Sequence, residues 1–556
     1  MMRMHKSPMW ETEYGLRRKP WGKLIRGRVL SSFARLWKGG TIGEGEVRRP
    51  SGAVCAVVPE PTACAAGYNP PPLRGWKFGI GVLVLVLSPL FAFGADGPKE
   101  SYKITQIPGP ENSPLEVGGM DWMADGRLMV CTRRGEVWSL SGSQWKLFAS
   151  GLQEALGLVH GDKNDVYVMQ RPELTHLVDS KEAGVADRYE TTAANFGFSG
   201  NYHEFAYGPV RDKDGYIYFT LNLSHAPDDF GGPFMGAHAE TPYRGWAMRS
   251  VKPNASDGKF APFAYGLRSP NGLAASPDGD IFFAENQGEW VGACWLGHLK
   301  EGCFYGNPSS MIFTKDWNNR DPKSVPLEEL EKKKTPPAIV FPYGRMGQSL
   351  SQPTWDTSSG KFGPFAGQIF IGDVQYPLVM RATLEKVNGD WQGACYPFLR
   401  HPDLQGANRL LFAPDGSLIV GLTDRGWVKG SSGLARITFT GETPFEIQSM
   451  SLTKTGFDLT FTKPIDKVTA ADVKTWSLLH WHMIYHHDYG SPEADKTPAK
   501  ITSVVLSEDG RHVSLVLSEL LAGKVYDLTV NGLKATDGVE LKNANAYYTL
   551  NHLQPK

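Results

Sequence analysis

Three short polar clusters carry the residue types that could do chemistry. The first is Gly200-Asn201-Tyr202-His203-Glu204-Phe205, where a histidine enters an apolar run from a loop. An imidazole so placed can act as a general base, because it changes charge near neutral pH. On its own it also reads as a loop histidine held by hydrogen bonds. Glu204 falls on the opposite side if the stretch is a strand, so it is not the natural partner of His203. The second cluster is Arg268-Ser269-Pro270-Asn271. Proline stiffens the loop, and arginine offers a planar fork of donors to an anionic or carbonyl oxygen. The same arginine could instead bridge two structural elements. Its strand leads to Glu285-Asn286-Gln287-Gly288-Glu289-Trp290, a polar exit with oxygens suited to calcium or to capping the strand. The third is Gly406-Ala407-Asn408-Arg409, followed by Thr423-Asp424-Arg425-Gly426-Trp427.

These clusters sit beside a recurring strand, tight turn and strand. Met120–Val130, Leu158–Val168, Phe205–Phe219, Leu273–Phe283, Phe365–Gly372 and Leu410–Val420 are the units, four of them turning through Asp-Gly. Repeated antiparallel units with no crossover helices exclude a parallel α/β sheet. The chain is therefore expected to be all-β, with a six-bladed β-propeller over residues 101–440. A two-layer β-sandwich is the alternative. Residues 296–350 interrupt the rhythm, with a short charged helix near Leu327, and read as an ordered loop covering a site.

Composition shifts at Gly441-Glu442-Thr443-Pro444. Beyond it, short alternating strands with Asp509-Gly510 and Asn531-Gly532 turns predict a C-terminal Ig-like β-sandwich over 443–556. His480, His482, His486 and His487 cluster there among Trp481, Tyr485 and Tyr489, as a metal site or as an aromatic contact between domains.

The net charge of zero is unevenly spread: residues 1–95 hold 14 basic and 5 acidic residues, leaving the rest mildly acidic. Nothing in it favours nucleic acid. Residues 73–95 carry Arg74 and Lys77, an apolar run over 78–93 and a small-residue exit at Gly94-Ala95, the parts of a secretory signal. An uncleaved single anchor is the competing reading, and the only membrane contact expected. Residues 1–72 are expected to lie outside the fold, as an unstructured extension or as residues upstream of a start near Leu73. A periplasmic or secreted location follows. In such an oxidising compartment Cys294 and Cys303 are expected to close a short loop.

The histidine loop before a Gly-Pro…Asp-Gly unit, and Gly-Leu-Arg-x-Pro-x-Gly-Leu before a Pro-Asp-Gly unit, resemble the soluble pyrroloquinoline-quinone (PQQ)-dependent glucose/sorbosone dehydrogenases. The chain also looks like the large secreted propeller proteins of planctomycete-type bacteria. The first resemblance covers about residues 101–440. It implies a periplasmic six-bladed propeller that oxidises a sugar or polyol hydroxyl, with PQQ and Ca2+ as cofactors. By that resemblance His203 is the base and Arg268 polarises the quinone. Asn271, Asn408 and Arg409 then bind the cofactor, and Tyr202, Glu285, Gln287, Asp424 and Arg425 line the pocket. Asn271 stands where the family has Gln, Ser269 where it has Asn, and Gln287-Gly288-Glu289 replaces its Gly-Asp-Glu turn. A non-catalytic propeller that binds a small sugar, a polysaccharide or a protein, stacking sugars on Trp290, Trp427 and Tyr305, is the second reading.

Overall fold

A computed structural model describes residues 100–226, 236–318, 320–424 and 430–555. Residues 1–72, the 73–95 segment, Arg425 and Trp427 lie outside them.

Six four-stranded antiparallel units follow one another along the chain. Blade one runs from Val117 to Ala149, blade two from Leu158 to Ala193, and blade three from Ala206 to Tyr265. Blade four spans Pro270 to Phe341, blade five Leu350 to Arg400, and blade six Ala407 to Phe439. Blade six takes its outermost strand from the start of the domain: Tyr102–Ile107 pairs antiparallel with Gly433–Phe439. This borrowed strand joins the first blade to the last and closes the ring.

The Asp-Gly turns do the local work. In blade four Gly279, at φ 95°, donates to the Ser276 carbonyl at 2.9 Å, and Ser276 donates back to Asp280 at 2.8 Å. The turn thus links the first two strands, Pro270–Ala275 and Ile281–Glu285. Around the axis the innermost strands touch backbone to backbone. A Cβ on Gly157 would lie 1.8 Å from the Gly208 carbonyl oxygen, so only glycine permits that approach.

Apolar side chains fill the seams between blades, including Phe219, Phe283, Trp295 and Tyr305 in one cluster around blades three and four. The interruption falls within blade four, between its third strand Cys294–His298 and its fourth strand Ile339–Phe341, and carries the helix Leu327–Lys333, held down by the buried Leu330.

The C-terminal region forms two four-stranded faces. Strands 447–452, 456–461, 512–517 and 501–506 make one. Strands 545–550, 524–530, 476–483 and 493–498 make the other, and it is continuous with blade five. The join is the pairing of Gly393–Cys395 with Tyr547–Thr549. The long outer hairpin of blade five, Leu378–Val387 and Asp390–Arg400, makes this reach feasible and adds Val387, Ala394 and Tyr396 to the C-terminal core. The buried Arg381 of blade five seals the junction. It pairs with Glu446, donates to the carbonyls of Gln448 and Ile447, and lies between Phe365 and Tyr396.

The expected disulfide is not formed: Cys294 and Cys303 are both free. Cys294 opens the strand Cys294–His298, and Cys303 follows the turn beyond its other end. That strand alone separates its ends by about 13 Å, whereas bridged cysteines need Cα atoms about 4.4–6.8 Å apart.

Candidate functional site

A cavity of about 590 Å³ opens where the loops entering blades three, four and five meet. Its wall includes Tyr202, His203 and His225 from blade three, Arg268, Ser269 and Gln287 from blade four, and Gln348 and Ser349 from blade five. Tyr489 closes it from the C-terminal region.

His203 is buried, and its Nδ1 lies 2.6 Å from the Leu223 carbonyl oxygen. A carbonyl can only accept, so Nδ1 carries a proton, and a ring without a second proton has its lone pair on Nε2. The loop is pinned by Asn201. Its Oδ1 accepts the His203 and His225 amides, and its Nδ2 donates to the His225 carbonyl. Glu204 does not line the cavity, although it and His203 stand in the turn before the strand Ala206–Arg211 and not in a strand. It is buried, accepts from Ser224 and Ser199, and its carbonyl takes a bond from the buried Arg244.

Arg268 is held from several sides. Its Nε donates to Glu289 at 3.1 Å, its Nη1 to the Gln287 carbonyl at 3.2 Å, and Tyr489 lies against its face at 5.4 Å. Nη2 makes no protein hydrogen bond among the described residues. It is the donor left for a ligand. Glu289 also accepts from His225 Nε2 at 3.1 Å. Burial works to raise the Glu289 carboxyl, but the His225 hydrogen bond and the Arg268 charge outweigh it and hold it at about 2. For Arg268, burial acts to lower the pKa, and Glu289 more than restores it. The guanidinium and its carboxylate therefore both stay charged at the cavity wall.

Two further carboxylates fix the loops from beneath. Glu285 accepts the amides of Arg268, Ser269 and Asn286. Asp373 does the same in blade five for Gln348, Ser349, Gln375 and Tyr376. Burial pushes Glu285 up to about 7 and Asp373 to about 6, against those amide bonds. Both act on backbone and neither lines the cavity.

Three residues expected with the cofactor lie elsewhere. Asn271, Asn408 and Arg409 form a plug on the propeller axis. Arg409 donates to the carbonyls of Gly118, Leu156 and Asn408 and to the side chains of Asn408 and Asn271. Asn271 reaches the Leu350 carbonyl, Asn408 reaches Val117, and Tyr207 stacks on Arg409. The plug thus touches all six blades, and none of its residues lines the cavity. Arg268, in the loop, faces the cavity, while Asn271, on the strand that follows, joins the axial plug.

Of the remaining expected pocket residues, Tyr202 and Gln287 line the cavity and Glu285 supports it. Asp424 is exposed, its carbonyl accepting from Arg133, and does not line it. Arg425 is outside the described residues. Trp290 and Tyr305 are 6 % and 1 % exposed, so neither presents a face for stacking. The His480–Tyr489 stretch makes an aromatic contact with blade four, Trp290 packing on Tyr485 and His487.

No family of known proteins and no curated protein matches this sequence. Several solved structures resemble its fold. A putative oxidoreductase (glucose dehydrogenase) from Thermus thermophilus is 19 % identical, with a TM-score of 0.43, over 60 % of this chain and 99 % of that one. The PQQ-bound aldose sugar dehydrogenase of Streptomyces coelicolor is 15 % identical, at 0.41, over 62 % and 99 %. A luciferin-regenerating enzyme is also similar, at 13 % identity and 0.39, over 61 % and 96 %. At these values the likeness is one of fold, and function has to be argued from the site.

The donor set can be tested against the two expected cofactors. PQQ is a tricarboxylate. Among the described residues the cavity wall offers one guanidinium, already paired with Glu289, and no lysine. Three carboxylates would find amide and hydroxyl donors but no uncompensated cation, so these residues do not fit a trianion. For Ca2+, no three His, Cys, Asp or Glu side chains gather at ligating range among the described residues. Glu285, the oxygen donor expected there, spends both carboxylate oxygens on amides. What the wall does suit is a neutral ligand rich in hydroxyls, which Gln287, Gln348, Ser349 and the tyrosine hydroxyls can pair with hydrogen bonds.

Proposed function

We propose that this chain is a propeller that binds a sugar or polyol in the cavity between blades three, four and five. His203 accepts a hydrogen bond from one ligand hydroxyl through Nε2, and Arg268 donates through Nη2 to an oxygen beside it. The observation that carries this reading is that His203 and Arg268, from the loops entering consecutive blades, line one cavity with Asn286, Gln287, Gln348, Ser349 and three tyrosines. The volume is that of a small-molecule site. Export through the 73–95 segment places the protein in the periplasm or outside the cell, with no nucleic acid among its partners. No helix among the described residues is long and apolar enough to cross a membrane.

The second reading is a sugar or polyol dehydrogenase, and the His203 tautomer favours it. A base beside a guanidinium is what removal of a hydroxyl proton requires. That reaction also needs an acceptor for the hydride, and the charge balance of the cavity does not suit PQQ. Binding therefore stands ahead of oxidation. The test is calorimetric titration of glucose, galactose, xylose, cellobiose and glucitol, with dye reduction measured after loading with PQQ and Ca2+. Binding of at least one ligand with no dye reduction is expected. Turnover with quinone would restore the dehydrogenase reading, and no binding by any ligand would overturn both.

A further inference from the structure

The C-terminal region reaches back to the propeller and completes the cavity. Its segment His486–Tyr489 pairs antiparallel with Glu289–Trp290 of blade four. The pairing continues as a strap: Gly490 donates to the Gly288 carbonyl at 2.9 Å, and Ser491 to that of Gly292 at 2.8 Å. The Gly292 amide donates in return to Ser491 Oγ at 3.0 Å. A Cβ on Gly292 would lie 2.4 Å from the Gly490 backbone, so the blade is shaped for this close approach. Tyr485 anchors the strap's other end. Its hydroxyl donates to the Gly306 carbonyl at 2.5 Å, and its ring lies against Trp290 and under Lys334.

The strap delivers Tyr489. The ring lies against the Arg268 guanidinium and meets His225 edge-on at 6.4 Å, yet it remains 57 % exposed. Tyr202, at 55 %, and Tyr343, at 37 %, are the other well-exposed tyrosines of the wall. They come from three separate parts of the chain: the blade three loop, the segment before blade five, and the C-terminal region. The rest of the wall supplies hydroxyls and amides, which any polyol can use. Aromatic faces select for a flat apolar surface, and a sugar ring has one in its C–H face, whereas an open-chain polyol does not.

We infer that the cavity is a two-part site in which the C-terminal strap supplies Tyr489 as a specificity-determining residue, selecting cyclic sugars over open-chain polyols and covering Arg268. This rests on the reading of the cavity as a sugar or polyol site.

The experiment titrates cellobiose and glucitol into the full chain, its Tyr489→Ala and Tyr489→Phe variants, and Tyr189→Ala as an exposed tyrosine of blade two. Tyr489→Ala is expected to weaken cellobiose about tenfold while changing glucitol by no more than about threefold. Phe at 489 keeps the stacking face and stays near wild type, and Tyr189→Ala changes nothing. Equal losses for both ligands, or none, would overturn the inference. In parallel, phenylglyoxal labelling of the ligand-free proteins is read at the Arg268 peptide by mass spectrometry. Labelling several-fold faster in Tyr489→Ala than in wild type supports the cover over Arg268, and equal rates overturn it. If the wild type binds neither cellobiose nor glucitol, the sugar or polyol reading of the cavity fails and the ligand preference falls with it. The labelling rates then still decide whether the strap builds the site.

Discussion

Arg268 and Arg409 are both buried, and they do opposite things. Arg409 sits on the axis, where each guanidinium nitrogen donates to carbonyl or amide oxygens from surrounding blades. Arg268 sits in the cavity wall, with a carboxylate on one edge, a carbonyl on the second and a tyrosine over its face. Its last edge is unspent. An arginine whose donors are consumed holds blades together, while one held rigid with an edge to spare is built to meet a ligand. The two were alike in sequence, each in a polar cluster ahead of a blade strand. Hydrogen-bond accounting separates them.

The comparison breaks most visibly at the plug. Arg409→Met should cost about 3–5 kcal/mol of stability, because it strands several buried oxygens that gathered around one side chain. Denaturant unfolding reads the loss, and the variant's remaining folded fraction should still bind sugar. A small loss would mean that the plug is not what joins the blades.

The next largest effect is the acid limb of the stability curve. Glu289 is held at about 2, against an ordinary 4.5. A lowered carboxyl stabilises the fold above its unfolded value, and that contribution is lost as pH falls from about 4.5 through 2. The shift is worth roughly 3 kcal/mol. Glu289→Gln should be less stable than wild type near pH 7, with the two curves converging toward pH 2. Glu285 works the other way: burial pushes it up to about 7, so its charge costs stability as pH rises from 4.5 to 7. Glu285→Gln should flatten that segment of the curve.

Arg268→Lys sharpens the comparison from the cavity side. It keeps the charge beside Glu289 but loses the planar fork. Stability should change by no more than about 1 kcal/mol, while sugar affinity falls about tenfold. The smallest effect is expected at the cysteines. Burial pushes the Cys294 thiol up to about 12 and leaves it inert. Dithiothreitol should leave the unfolding midpoint unchanged, and non-reducing peptide maps should show Cys294 and Cys303 unlinked.

The fold was largely readable because Asp-Gly turns and alternating strands are local signals. Blade five shows why locality suffices: its Phe365-Ala366-Gly367 turn departs from the Asp-Gly pattern, yet the apolar Ile369–Ile371 run still marks the strand. The ring closure by Tyr102–Ile107 had no such mark, since it depends on a partner more than 300 residues away. The shared sheet of blade five and the C-terminal region was invisible for the same reason.

The site was readable in half. His203 and Arg268 stood out because their types and their places before blade strands suggest chemistry. Asn271, Asn408 and Arg409 looked equivalent, but a few residues further along a strand turns a side chain from the cavity to the axis. His225 and Tyr489 carried no spacing signal. His225 lies in the short strand Ser224–Ala226, an excursion beyond the second strand of blade three, and Tyr489 reaches the cavity from the far end of the chain. The histidines around it drew attention to possible ligation, while the residue that matters is the tyrosine at the strap's end.

The most direct measurement is a crystal structure of the full chain soaked with cellobiose. A sugar ring is expected in the 590 Å³ cavity, with one hydroxyl within hydrogen-bond distance of the His203 ring and an oxygen within reach of Arg268 Nη2. Cellobiose bound elsewhere on the propeller, with that cavity holding only solvent, would contradict it.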